Sequence, residues 1–188
     1  MNNHRYKIMV SSAVYGFESE IEQICAILSS FGYEVLNSHI GTIKVHPGLS
    51  NLDNCLEAVR ECDLFLGVIR PYCGTGNIGN KNITFEEMKL AITLKKPYWF
   101  VVHGDVMFAR KLCNKIKDFR PEMIRTNNFF DYKSVEMFNM VTKDAEEVTK
   151  RTGNWAQKFY RIDEILTYIQ TQFQDIEFIN SIIIPQKS

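Results

Sequence analysis

Residues 82–101, NITFEEMKLAITLKKPYWFV, read as a capped helix, a short turn and a strand. On a wheel of about 100° per residue, Glu86, Lys89 and Thr93 share one polar face. Phe85, Met88, Leu90, Ala91, Ile92 and Leu94 fill the remaining arc, and Glu87 lies among them. A lone carboxylate on an apolar face is costly to bury and needs a reason. Two reasons compete. With Thr84 as N-cap, Glu87 stands at N3 and closes a Thr-x-x-Glu capping box. Alternatively, Glu87 projects into a crevice and does chemistry there, where the helix N-terminus would keep it ionised. One carboxylate can also fill both roles in different states.

The flanking segments repeat the strand-and-helix pattern. Residues 5–10 form a short apolar strand ending at Ser11-Ser12. Residues 17–31 carry Ile21, Ile24, Cys25, Ile27, Leu28 and Phe31 at helical spacing, and Gly32 stops that helix as a C′ glycine. A strand at 33–37, a loop at 39–50 with the turn His46-Pro47-Gly48, and a helix at 52–61 follow. Residues 63–69, DLFLGVI, are almost continuously apolar, as expected of a strand covered on both faces. A Gly/Asn-rich loop spans 70–82, and 98–102 is the next strand.

This alternation predicts an α/β fold with a mainly parallel, doubly wound, flavodoxin-like sheet of order 2-1-3-4-5. Residues 1–105 would form its core. Residues 106–188 would be a helical extension packed on the core, completing a single domain. Within it, 106–117, 134–150 and 162–178 read as helices, 127–131 as a fifth strand, and Gly153-Asn154-Trp155 as a connection.

The bulk properties narrow the function classes. The chain has 188 residues, 45% hydrophobic and 23% charged, which is ordinary for a globular domain. Lys plus Arg equals Asp plus Glu at 22 each, so nothing advertises nucleic acid or an anionic membrane as partner. Near-zero charge favours self-association, so a homo-oligomer is expected. The five cysteines are scattered without a C-x-x-C pair, the pattern of reduced thiols in a cytoplasmic protein. There is no signal-peptide core and no apolar run long enough to span a membrane. The four histidines show no zinc-ligand spacing, and no metal or cofactor is called for.

In a 2-1-3-4-5 sheet, ligands bind beyond the carboxyl ends of the strands where the order reverses. Three pieces of this chain meet there: Ser11-Ser12-Ala13-Val14-Tyr15-Gly16, the 70–82 loop, and the helix bearing Glu87. Ser11, Ser12 and Tyr15 would position a sugar or phosphate, and Arg70, Tyr72 and Gly74 would contact phosphate or base. Asp63 either points into the site or merely ends the preceding helix. These groups suit a polyhydroxy ligand such as a ribosyl group. Gly74-Thr75-Gly76-Asn77-Ile78-Gly79 matches G-x-G-x-x-G, but it follows the third strand and stands some four residues short of the helix. It also lacks the acidic residue about 20 positions on, so a loop over the crevice is the better reading than a dinucleotide turn. Cys73 in the same loop has no neighbouring base to activate it.

KIMVSSAVYGFESEIEQI, HPGLSNLDNCLEAVRECDLFLGVI, ITFEEMKLAITLKKPYWFVVHGDVMFAR and RTGNWAQKF together resemble a prokaryotic TIR-like domain-of-unknown-function family. That family is related in fold to TIR domains and nucleoside 2-deoxyribosyltransferases. The resemblance implies a flavodoxin-like sheet and a helix carboxylate acting on an N-glycosidic bond. In deoxyribosyltransferases the Glu stands ten residues before the Pro of a G-K-P-like turn. Glu87 and Pro97 keep that spacing here, with Lys95 in place of the Gly.

Two functions follow. As an enzyme, the protein would cleave or exchange the bond between a ribosyl group and a base, on NAD or a nucleoside derivative. Glu87 would be nucleophile or electrostatic partner, and Glu86 would stay solvated. As a non-catalytic module, it would sense a nucleotide or self-assemble in bacterial signalling or defence, alongside a partner effector protein, with Glu87 only capping its helix.

Overall fold

The computed structural model describes residues 5–73, 77–78, 81–123 and 130–183. In chain order the elements are β1 (Lys7–Ser12), α1 (Glu18–Ser30), β2 (Glu34–Leu36), α2 (Asn51–Glu61) and β3 (Leu64–Ile69). A two-residue pair follows, β4 (Asn77–Ile78) and β5 (Lys81–Asn82), then α3 (Ile83–Thr93), β6 (Tyr98–His103) and α4 (Gly104–Cys113). The chain continues with α5 (Lys133–Val141), β7 (Ala156–Phe159), α6 (Ile162–Phe173) and α7 (Ile176–Ile183).

The main sheet has the order β2-β1-β3-β6-β7 with every pairing parallel. Counting only its strands, that is 2-1-3-4-5, the flavodoxin-like order. The central strand β3 is buried at all six positions, which is why its sequence is apolar without alternation. Its two faces feed two cores. Leu64, Leu66 and Val68 pack with Ile8 and Val10 against α1, α6 and α7. Phe65 and Ile69 pack with Met9, Phe100 and Val102 against α2, α3, α4 and α5. Gly67 is needed between them, because a Cβ there would lie 2.4 Å from the Phe100 ring.

The fifth strand is a correction. It comes from Ala156–Phe159 and not from 127–131, of which 130 and 131 are coil and the rest lie outside the described residues. The segment AQKF is short and polar because it is an edge strand, buried fully only at Phe159.

The start of α3 also differs from expectation. Lys81–Asn82 pairs as a strand, so the helix begins at once at Ile83 and Asn82 is its N-cap. Asn82 Oδ1 accepts from the Phe85 backbone N–H at 3.0 Å, and its Nδ2 donates to the Cys73 carbonyl at 3.0 Å. Glu87 thus stands at N5, beyond reach of the N-cap, and the capping box is absent. The far end of α3 closes as a Schellman motif. Lys96 N–H donates to Ala91 C=O and Lys95 N–H to Ile92 C=O, with Lys95 at φ +54°. Lys95 is therefore a non-glycine residue held in the left-handed region.

Candidate functional site

Glu87 lies on the inner face of α3, only 4% exposed, at the carboxyl edge of the sheet. Ser11, the fifth residue of β1, donates its hydroxyl to Glu87 Oε2. The Cys55 thiol, from α2, is also hydrogen-bonded to the carboxylate. Among the described side chains, no cation pairs with it. Burial therefore dominates and pushes the Glu87 carboxyl up from 4.5 to about 7, while the Ser11 and Cys55 hydrogen bonds work in the opposite direction. The expectation that the helix N-terminus would keep Glu87 firmly ionised gives way to desolvation. At N5 the carboxylate is past the first turn, where that field is strongest.

Glu87 opens onto a crevice of about 210 Å³. The end of β1 supplies Ser11 and Ser12, the loop after it Ala13, Val14 and Tyr15, the segment just after β2 Asn37 and Ser38, and α3 Ile83 and Thr84. A second hollow of about 400 Å³ shares Ser38 and Ile83 with it and reaches Cys55, Asn51 and Asn54. Glu87 lines the first and Cys55 the second, with Ser38 and Ile83 common to both.

The sequence candidates separate into three groups. Glu87, Ser11, Ser12 and Tyr15 are brought together in the crevice. Arg70 and Tyr72 line a neighbouring hollow of about 360 Å³ with His103, Tyr160 and Arg161. Arg70 also braces the site's loop: it donates to the carbonyls of Ala13, Tyr15 and Gly16 at 3.0, 3.1 and 3.2 Å and lies over the Phe17 ring. Tyr72 meets Tyr15 edge to face, with ring centroids 6.0 Å apart, so this pair divides the two hollows. Asp63 is not in the site. It sits at the amino end of β3, where its carboxylate accepts from the Lys7 backbone N–H at 3.0 Å and its own N–H donates to the Lys7 carbonyl. Gly74 lies outside the described residues.

Asn37, Ser38 and Cys55 were not singled out from the sequence, and Thr84 was read only as a helix N-cap. Asn37 shapes the rim, donating from Nδ2 to the Val10 carbonyl at 2.8 Å and accepting from the N–H groups of His39 and Ile40. A polar residue closing a predicted strand was the available signal for it. All five cysteines are free and buried, and burial raises the Cys73 thiol, so it is no activated nucleophile. Among the described residues no group of three or more His, Cys, Asp or Glu is placed to hold a metal, and no helix is long and apolar enough to cross a membrane.

The family model described as a domain of unknown function, DUF4062, matches residues 7–150. No functionally curated protein matches the chain in sequence. Among solved structures, a CMP N-glycosidase from Clostridium botulinum, BcmB, is similar with a TM-score of 0.49 at 12% identity, over 88% of this chain and 98% of that one. A conserved protein from Enterococcus faecalis V583 gives 0.45 at 11% identity, over 90% and 99%. At such values neither likeness carries information about chemistry.

Proposed function

This chain belongs to the DUF4062 family, and within it we propose a nucleoside- or nucleotide-processing enzyme that breaks or exchanges an N-glycosidic bond at Glu87. The observation that carries the proposal is a buried carboxyl group with no cation beside it among the described residues and a pKa near neutrality. It faces a crevice at the carboxyl edge of a doubly wound sheet. The ten-residue spacing to Pro97, which resembles that of deoxyribosyltransferases, supports it independently.

The chemistry follows from what Glu87 lacks. Its ionised form has two neutral hydrogen-bond donors and, among the described side chains, no cation, so its charge is poorly compensated. When the C1′–N bond breaks, the electron pair leaves with the base and positive charge develops on the sugar. That charge is the missing partner. The carboxylate interacts more strongly with the transition state than with the neutral ground state, which is the requirement for catalysis. It then either bonds to C1′, giving a glycosyl ester that water or an acceptor base opens, or holds the oxocarbenium while water attacks. Ser11 fixes the orientation of the carboxylate throughout.

Size supports a nucleoside unit. The 210 Å³ crevice falls below the ~300–1,000 Å³ of sites for drug-sized ligands, which suits a pentose, and the 400 Å³ hollow beside it suits the base. Ser12 and Tyr15 would line the sugar, and Arg70 would act by holding their loop. The test is release of free base from a panel of nucleosides, nucleoside monophosphates and NAD, for wild type, Glu87→Gln and Glu86→Gln. Turnover lost only in Glu87→Gln supports the proposal. Turnover that survives Glu87→Gln, or nucleotide binding with no turnover by wild type on any substrate, overturns it.

A further inference from the structure

The RTGNWAQKF stretch is not used by the Glu87 crevice. It forms one wall of a separate hollow of about 510 Å³. Its walls come from three places. Tyr98 and Trp99 open β6, Trp155 and Gln157 come from the turn and strand of β7, and Glu164, Thr167, Tyr168, Thr171 and Gln172 project from α6. The α6 residues recur at spacings of three and four, so they form one continuous helix face.

The turn is shaped for this arrangement. Gly153 sits at φ +62°, a conformation that favours glycine, and a Cβ there would crowd the Tyr98 hydroxyl at 3.0 Å. Two residues on, Trp155 stands 71% exposed at the mouth of the hollow. Opposite chemistry lines the inside: the amides of Gln157 and Gln172 and the hydroxyls of Thr167 and Thr171. Gln172 Oε1 accepts from Trp99 Nε1 at 3.2 Å.

Charge narrows the ligand. Among the described residues no lysine or arginine lines the hollow, so none is placed to hold a phosphate. Its one carboxylate, Glu164, is committed to its own helix, accepting from the backbone N–H groups of Tyr160 and Arg161. The Thr167 and Thr171 hydroxyls donate back to the Asp163 and Thr167 carbonyls of their own helix, Gln157 Nε2 donates to the Lys158 carbonyl, and what is left is aromatic faces with Gln172 Nε2 and Gln157 Oε1 beside them. We infer that this cleft between β7 and α6 is a second binding site, taking an uncharged heteroaromatic base, free or as a nucleoside, stacked on Trp155. Aromatic side chains stack on any base, and the two glutamines together offer a base edge one donor, Gln172 Nε2, and one acceptor, Gln157 Oε1. The inference does not rest on the reaction proposed for Glu87, because the two sites share no lining residue.

The chain has two tryptophans, and both line this cleft. Their two indole N–H resonances in a ¹H–¹⁵N spectrum therefore report on it directly. The host is the full-length Glu87→Gln protein, so that no probe is consumed, titrated with adenosine, uridine and adenine. The expected result is saturable movement of both indole resonances with Kd of ~1 mM or tighter for at least one probe. Trp155→Ala should weaken this at least tenfold, read from the Trp99 resonance, and Trp155→Phe should restore it to within about threefold, since a phenyl ring still stacks. Unmoved indoles overturn the inference, as does an equal response to ribose 5-phosphate or glucose, or an affinity indifferent to Trp155→Ala. Base release by wild type fails or succeeds separately.

Discussion

Asp63 and Glu87 are carboxylates that touch the same strand from opposite ends of the sheet, and their surroundings differ. Asp63 is half-buried and accepts the Lys7 backbone N–H. Glu87 is sealed at 4% exposure and receives only the Ser11 hydroxyl and Cys55 thiol among the described groups. Lys7 and Ser11 are four residues apart on β1, ~13 Å along the strand. Over that distance, a group that ties two strands together gives way to one whose charge is left to neutral donors. What raises the Glu87 carboxyl is burial beside an open crevice with neutral donors alone.

The largest effect that can break this contrast is on turnover. Glu87→Gln should lower base release by about 10³-fold or more, the range for removing a group that acts on the reacting centre. Asp63→Ala should leave it within about twofold and instead cost on the order of 1 kcal/mol of stability, read by urea unfolding. Reversal of these two phenotypes would exchange the roles assigned to them.

Next is the pH dependence of folding. Glu87 holds its proton more tightly in the folded chain than in the unfolded one, its pKa rising from 4.5 to about 7. The stability this contributes is complete below pH 4.5, falls as pH rises towards 7, and is gone above it. Each tenfold gain in proton affinity is worth about 1.4 kcal/mol, so across that window wild type should lose on the order of 3 kcal/mol relative to Glu87→Gln. A flat difference between the two urea-unfolding curves would show that burial does not control this carboxyl.

Ser11→Ala sharpens the comparison on a smaller scale. Ser11 favours the ionised carboxylate, so its loss should raise the Glu87 pKa further and move the lower limb of the pH–rate profile upward by about one pH unit. Smallest is Lys95→Gly. The left-handed φ of +54° costs a lysine but not a glycine, so the helix carrying Glu87 should gain about 0.5 kcal/mol in thermal or urea unfolding, with turnover unchanged.

Much of this was legible before the fold was known. The run DLFLGVI read as a strand buried on both faces, and the alternation of strand and helix pointed to the 2-1-3-4-5 order that the sheet has. The wheel of α3 marked Glu87 as misplaced, and that mark survived. What was lost has local causes. Asn82 and Thr84 are both good N-caps, and only the pairing of Lys81–Asn82 with Asn77–Ile78 chooses between them. AQKF carries too little apolar alternation to announce an edge strand. Cys55 reads as an ordinary inward residue of α2, because its contact with Glu87 joins segments 32 positions apart. Arg70 looked like a ligand-facing cation, and three backbone carbonyls of the β1–α1 loop take its hydrogen bonds.

The most direct measurement is the titration of Glu87 itself, followed through its carboxyl carbon by ¹³C NMR and assigned with Glu87→Gln. The account predicts a midpoint near pH 7, well separated from the exposed glutamates. A midpoint at or below the ordinary 4.5 would mean that the carboxylate is fully compensated in the folded chain, and the case for its chemistry would fall with it.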